Sequence, residues 1–341
     1  MKKTIFIILI IALLPGLALS QKNVSKVGTA AAAFLEIPVG SPAVGMGGAF
    51  VSVANDATAL YWNASGITSV PTNEVLVMHN QWIAGTRFNF AAAVLKLGGT
   101  RTLGLSITTL SMDDMKVRTI DKPEGTGEYY SAGDLAVGLS YAWELTDRFA
   151  IGFTGKFIQQ KIWHMSANAV AIDVGTKFRT DLLNGMVIGA AISNFGTSMQ
   201  LAGRDARRFS RIDETKLGSN GQIPQNIEMD SWDLPLMLQI GVSSDLIKTE
   251  AYRWTFAIDA LHPSANYESI NVGTELAFNE YFFLRGGYQS LFLQDAEGGL
   301  CLGVGLTSKM LFSNSVIKFD YAYRDMGLLE NTQLFSVSVG F

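Results

Sequence analysis

The sequence predicts an all-β fold: a transmembrane antiparallel β-barrel of about 14 strands, its lumen occupied by an N-terminal, glycine-rich and partly helical plug. Three observations lead there. Hydrophobic residues make up 48% of 341 and charged ones only 16%, with a mean hydropathy of +0.22, yet beyond the first segment no apolar run reaches the ~18 residues a membrane helix needs. Alternation of period two recurs along the chain, with bulky apolar side chains on one face and small or polar ones on the other. The connections alternate between short and long, as between the periplasmic and external sides of outer-membrane barrels, except for a short external one near Ala84 and a longer inner one, SKMLFSN.

Taken in order, the chain opens on Lys2 and Lys3, an apolar run to about Ala18, and Ala18-Leu19-Ser20 before Gln21. A charged start, a short apolar stretch and small residues at the cut describe a secretory signal peptide over 1–20. The single cysteine, Cys301, excludes both lipidation at that cut and an intramolecular disulfide. Residues 21–71 form the plug segment: they lack the alternation, and ATALYW after Asn55 or Asp56 suits a short capped helix. Such a stretch keeps its backbone satisfied inside a barrel, whereas lipid would leave it unpaired.

Residues 72–341 supply the barrel. In DLAVGLSYAWEL, Leu135, Val137, Leu139, Tyr141, Trp143 and Leu145 share one face, opposite Ala136, Gly138, Ser140, Ala142 and Glu144. RFAIGFTGKF and AVAIDVGTKF repeat the pattern. A soluble sandwich covers its second face with Lys, Glu, Thr and Arg; a face of Gly, Ala and Ser borders an enclosed, partly filled lumen instead. Candidate strands centre near Val77, Phe90, Leu105, Val137, Phe153, Ile172, Ile188, Leu238, Phe256, Val272, Leu284, Leu302, Phe319 and Val337. GGTR, TDR and FNE are the short inner turns; MDDMKVRTIDKPEGTGEYYSAG and a longer loop at about 195–231 lie outside. QLFSVSVGF ends the chain with Phe335, Val337, Val339 and Phe341 on one face, which resembles the signal by which outer-membrane barrels are recognised for assembly. The bacterial outer membrane is the expected location, its lipid the expected surroundings. The mild net charge of −4 argues against nucleic acid as a partner.

The glycines of VGMGGAFVSVANDATALYWNASG raise the question of a phosphate loop. Gly45 and Gly47 fit the first positions of a dinucleotide fingerprint, but Phe50 stands where its last glycine belongs, and no lysine follows at Walker spacing. Close backbone packing is the better account of Gly45, Gly47 and Gly48. Val39 to Phe50, followed by Ala54 to Asn63, closely resembles the N-terminal signature of the PorV/PorQ family, part of the wider group of barrels similar to FadL. That family has Asn-Pro-Ala-Gly where this chain has Asn63-Ala64-Ser65-Gly66, so the rigidity of this turn must come from elsewhere. The resemblance implies a fourteen-stranded barrel plugged by Gly45, Gly47, Gly48, Asn55, Asp56, Tyr61, Trp62 and Asn63. In some members it also implies a part in type IX secretion, receiving exported proteins with a C-terminal sorting domain. The alternative is a FadL-like channel for hydrophobic small molecules.

No enzymatic site emerges. His79, His164 and His262 stand in no ligand spacing, no GxSxG elbow occurs, and no cofactor or metal is expected. The inward charges Asp173, Lys177, Glu275, Arg285, Lys318 and Asp320 are expected to pair with one another or with the plug. In the long external loop, Arg204, Arg207, Arg208 and Arg211 are candidates for docking a partner protein.

Overall fold

A computed structural model describes residues 27–211, 215, 221–293, 296–308 and 315–341; the predicted signal peptide, 1–20, lies outside them. The barrel begins with β1 (Glu74–Gln81), β2 (Arg87–Lys96), β3 (Arg101–Ser111), β4 (Ala132–Thr146), β5 (Phe149–Ile162), β6 (Met165–Arg179) and β7 (Val187–Gly196). It continues with β8 (Met237–Lys248), β9 (Tyr252–Pro263), β10 (Ser269–Phe278), β11 (Phe282–Leu291), β12 (Leu300–Thr307), β13 (Val316–Asp325) and β14 (Asn331–Gly340). Each pairs antiparallel with its neighbours, and β1 pairs with β14 from Glu74↔Gly340 to Gln81↔Gln333, which closes the ring. All fourteen predicted centres fall inside these strands.

Closure leaves each strand one face for lipid and one for the lumen. Leu139, Phe153, Phe157, Val170 and Ile172 point outward, as the alternation requires. Trp143, Phe178, Tyr252, Trp254, Phe278 and Phe282 ring the periplasmic ends of their strands on the same surface, at the depth where an aromatic girdle meets the membrane boundary. The first hairpin departs from the pattern: Leu76 and Met78 of β1 and Phe88, Phe90 and Val94 of β2 are buried inside. There the bulky face looks inward because plug side chains cover it.

The external loop between β7 and β8 spans 197–236, because Phe195 and Gly196 still pair with β6 and β8 starts only at Met237. It carries its own pairings: Met199–Gln200 with Ser231–Trp232, and Arg207–Ser210 with Ile223–Asn226. Ala202 and Gly203 extend the sheet at the outer end of β6. The inner connection SKMLFSN falls largely outside the described residues.

The plug runs the height of the ring. At the outer end the Ala31 amide donates to the Asp233 carbonyl and the Ala32 amide to Gln160 Oε1, each at 2.9 Å. The chain then descends through a 3-10 turn (Ala33–Glu36), helix α1 (Ser41–Gly45), a bend, helix α2 (Ala59–Trp62) and a 3-10 helix (Ala64–Ser69). Lys96 Nζ holds the Thr68 carbonyl at 2.6 Å near the periplasmic end. Neither predicted residue is the N-cap of α2: Thr58 holds that position without a side-chain cap, Asp56 Oδ1 accepts the Thr58 amide at 2.8 Å just before the helix, and Asn55 is exposed. Phe34, Leu35, Val39, Met46, Phe50, Leu60 and Ile67 of the plug pack with Leu76, Met78, Phe88, Phe90, Val94, Ile158 and Leu334 of the wall as one core. Each large side chain fully buried this way contributes roughly 1.5–3 kcal/mol.

Candidate functional site: the plugged lumen

The small face of the wall is small because the plug backbone lies against it. A Cβ on Gly287 would meet Met46 and Gly47 backbone, one on Gly273 the Met46 carbonyl, one on Gly152 the Ala64–Ser65 peptide, and one on Gly189 the Val51 carbonyl. The plug answers in kind. A Cβ on Gly45 would lie 3.0 Å from Gly303 Cα, and one on Gly47 would lie 2.7 Å from the Tyr288 amide. Gly47 and Gly48 also hold φ of 65° and 73°, in the left-handed region where other residues are strained. The glycines of the opening motif thus turn the chain and let it approach the wall, and hold no phosphate loop.

Polar side chains fix the plug's position. Asn63, 2% exposed, uses its whole amide: Nδ2 donates to the Val51 carbonyl at 2.9 Å and to the Thr176 carbonyl of β6 at 3.0 Å. Its Oδ1 accepts the Ser65 amide at 3.2 Å and the Ser65 hydroxyl at 2.6 Å. That clamp supplies the rigidity a proline at position 64 would have given. Trp62 Nε1 donates to the Val39 carbonyl at 2.8 Å, and Tyr61 Oη to the Leu35 carbonyl at 3.1 Å, tying α2 to the upper plug. Asp259 of β9 escaped the sequence reading. Its Oδ2 accepts the successive amides of Phe50 and Val51 at 2.7 and 2.8 Å in a fully buried position. Only its place on the inward face of β9, beside Ala257 and Thr255, could have pointed to it.

The predicted inward charges divide. Arg285 bridges Glu275 (2.7 Å) and Asp320 (2.6 Å), and Glu275 also takes Arg253 at 2.9 Å. Asp173 pairs with Lys156 at 2.6 Å and accepts the Asn194 amide at 2.8 Å, where β7 bulges against β6. Lys177 instead reaches the plug, donating to the Ala54 carbonyl at 2.7 Å. Lys318 lies on the inward face of β13, two residues from Asp320. The loop arginines belong to another place. Arg204 and Arg207 border an external cleft of about 470 Å³ with Gln200, Asn226 and Glu228. Arg204 Nη2 stands 2.9 Å from the His164 ring, whose Nδ1 lies 3.1 Å from Asp205. Arg208 and Arg211 are exposed nearby, and none of the four reaches the lumen.

No family model matches the chain, and no curated protein matches it by sequence. Solved structures do resemble it. A Pseudomonas aeruginosa FadL homologue superposes with a TM-score of 0.54 at 10% identity, over 89% of this chain and 98% of that one. The monoaromatic hydrocarbon channel CymD gives 0.57 at 12% identity, over 89% and 98%. The Ralstonia pickettii toluene transporter TbuX gives 0.52 at 11% identity, over 88% and 97%. At these identities the likeness concerns the fold. It agrees with the barrel fold expected from the sequence and does not reach the PorV/PorQ branch. The closed ring, the apolar outer belt and these neighbours together give the chain the architecture of a FadL-like outer-membrane barrel.

Proposed function

We propose that the chain is a channel for hydrophobic small molecules across the outer membrane, gated by its plug. The observation that carries this is the continuous apolar core through the ring. It runs from Phe34 and Leu35 past Met46 and Phe50 to Leu60 and Ile67, against Met78, Phe88, Phe90 and Leu334. A lipophilic molecule displacing those side chains exchanges one apolar contact for another, at little desolvation cost. The neighbours named as a hydrocarbon channel and a toluene transporter support the reading. Uptake of toluene by cells with an intact outer membrane tests it. Cells carrying the protein should accumulate toluene faster than cells lacking it, and Gly47→Val or Gly48→Val should change that rate. Equal uptake with and without the protein rules the channel out.

A second reading rests on the signature from Val39 to Asn63: a barrel that receives exported proteins in type IX secretion or a related delivery step. Its docking surface is the 197–236 loop, where Arg207 and Arg208 are exposed. Purification from native outer membranes, with mass spectrometry of what accompanies the barrel, separates the two. Proteins sharing a C-terminal sorting domain favour the second; a bound lipophile without them favours the channel.

A further inference from the structure

The periplasmic mouth holds charge that the wall does not neutralise. Lys177 and Arg179 share the inward face of β6 at its lower end, with Lys248 from the end of β8 and Arg253 from the start of β9. With Asp245 and Glu280 they line a cavity of about 470 Å³, bounded on the plug side by Ser52, Val53 and Asn55. Arg253 is taken by Glu280 at 2.8 Å and Glu275 at 2.9 Å, and Lys248 lies 3.5 Å from Asp245. Lys177 and Arg179 enter no ion pair among the described residues. The Lys177 ammonium is buried and rests on the Ala54 carbonyl at 2.7 Å and on Ser69 Oγ at 3.5 Å. Behind it Glu144, Asp147 and Arg148 border a recess of about 30 Å³ that also touches Lys177 and Arg179; Arg148 there is paired with Asp181 at 2.7 Å. The Ser52 hydroxyl, 1% exposed, has no hydrogen-bond partner among the described residues.

A buried ammonium and a guanidinium on one face, neither held in a salt bridge, attract an anion, because low polarity around the ammonium strengthens its charge-assisted hydrogen bonds. A carbonyl dipole neutralises only part of such a charge. We infer that the periplasmic mouth is an oxyanion site for a carboxylate or phosphate group, with Lys177 and Arg179 supplying the charge and Ser52 and Asn55 neutral donors. The group arrives either as a small free anion or as the head of an amphiphile. The site stands whether or not the lumen conducts hydrophobic molecules.

Equilibrium dialysis of the full chain in non-ionic detergent, against radiolabelled inorganic phosphate and against octanoate, tests it. Saturable binding of at least one probe is expected, weakened about tenfold by Arg179→Gln and reduced by added sodium chloride. Phosphate bound as well as octanoate identifies a free anion; octanoate preferred identifies an amphiphile's head. Arg179 is exposed, so its variant keeps the barrel, checked by heat-modifiable gel migration; Lys177→Gln serves as the second variant. Absence of saturable binding for both probes overturns the site, and so does wild-type affinity in both variants.

Discussion

Two arcs of the wall hold the same plug by different means. Along β10 to β12 the contact is one of shape. Gly273, Gly287 and Gly303 lie against Met46, Gly47 and Gly45, while the charges of that arc, Arg285 and Glu275, bond to each other and to Asp320 of β13 and not to the plug. Along β5 to β9 glycines also touch the plug, but directed polar bonds are added: Asn63 to Thr176, Lys177 to Ala54, and Asp259 to Phe50 and Val51. Dispersion contacts are non-directional and reward closeness, whereas hydrogen bonds reward one position. The first arc therefore sets how near the plug sits, and the second sets its register.

The largest effect should come from spoiling the shape side. Gly287→Leu drives a side chain into the Met46–Gly47 backbone and should cost about 3 kcal/mol or more, seen as a lower temperature of heat-modifiable migration. Gly155→Leu is its control. That glycine is exposed with nothing within 4 Å, and its variant should migrate as wild type; a matching loss would mean that glycine content, not plug contact, sets stability.

Next comes the register side. Asp259→Ala leaves the Phe50 and Val51 amides buried without an acceptor, at a cost of roughly 2–3 kcal/mol. Hydrogen exchange at those two amides should accelerate while exchange at Met46 and Gly47 changes little; equal acceleration at both places would erase the distinction between the arcs. Asn63→Ala should follow at roughly 1–2 kcal/mol, with plug proteolysis between Val51 and Ser69 as the readout. Lys177→Met should be smallest, within about 1 kcal/mol of wild type, because an apolar side chain removes a buried charge along with its bond to Ala54. A loss as large as that of Asp259→Ala would make Lys177 an anchor of equal rank.

What the sequence disclosed follows the same division. Strand positions and lipid faces were legible because burial on a closed sheet has period two, and Leu139, Phe153 and Val170 carry that signal in isolation. The glycines around Gly47 were legible as close packing, though not what they packed against. Asp259 was illegible because a lone acid on a strand gains meaning only when register brings it under the Phe50–Val51 amides, 208 residues away in the chain. The facing of the first hairpin was illegible for a related reason: Phe88 and Phe90 alternate as lipid-facing residues do elsewhere, and only the plug's course shows that they face inward. Lys177 was expected to pair with another charge or with the plug; it reaches the plug at the Ala54 carbonyl, an atom that no charge pattern singles out.

The course of the plug has a consequence for how the molecule is made. Ala31 sits at the outer end of the ring, while β1 starts at the periplasmic end and pairs with β14, the last strand of the chain. The polypeptide ahead of β1 is thus a thread through an eye that its own two ends close. Zipping the β1–β14 seam and lodging the thread cannot be independent steps: a ring sealed first would have to draw some 40 residues through a bore lined by Gly152, Gly189 and Gly287, which leaves them no slack.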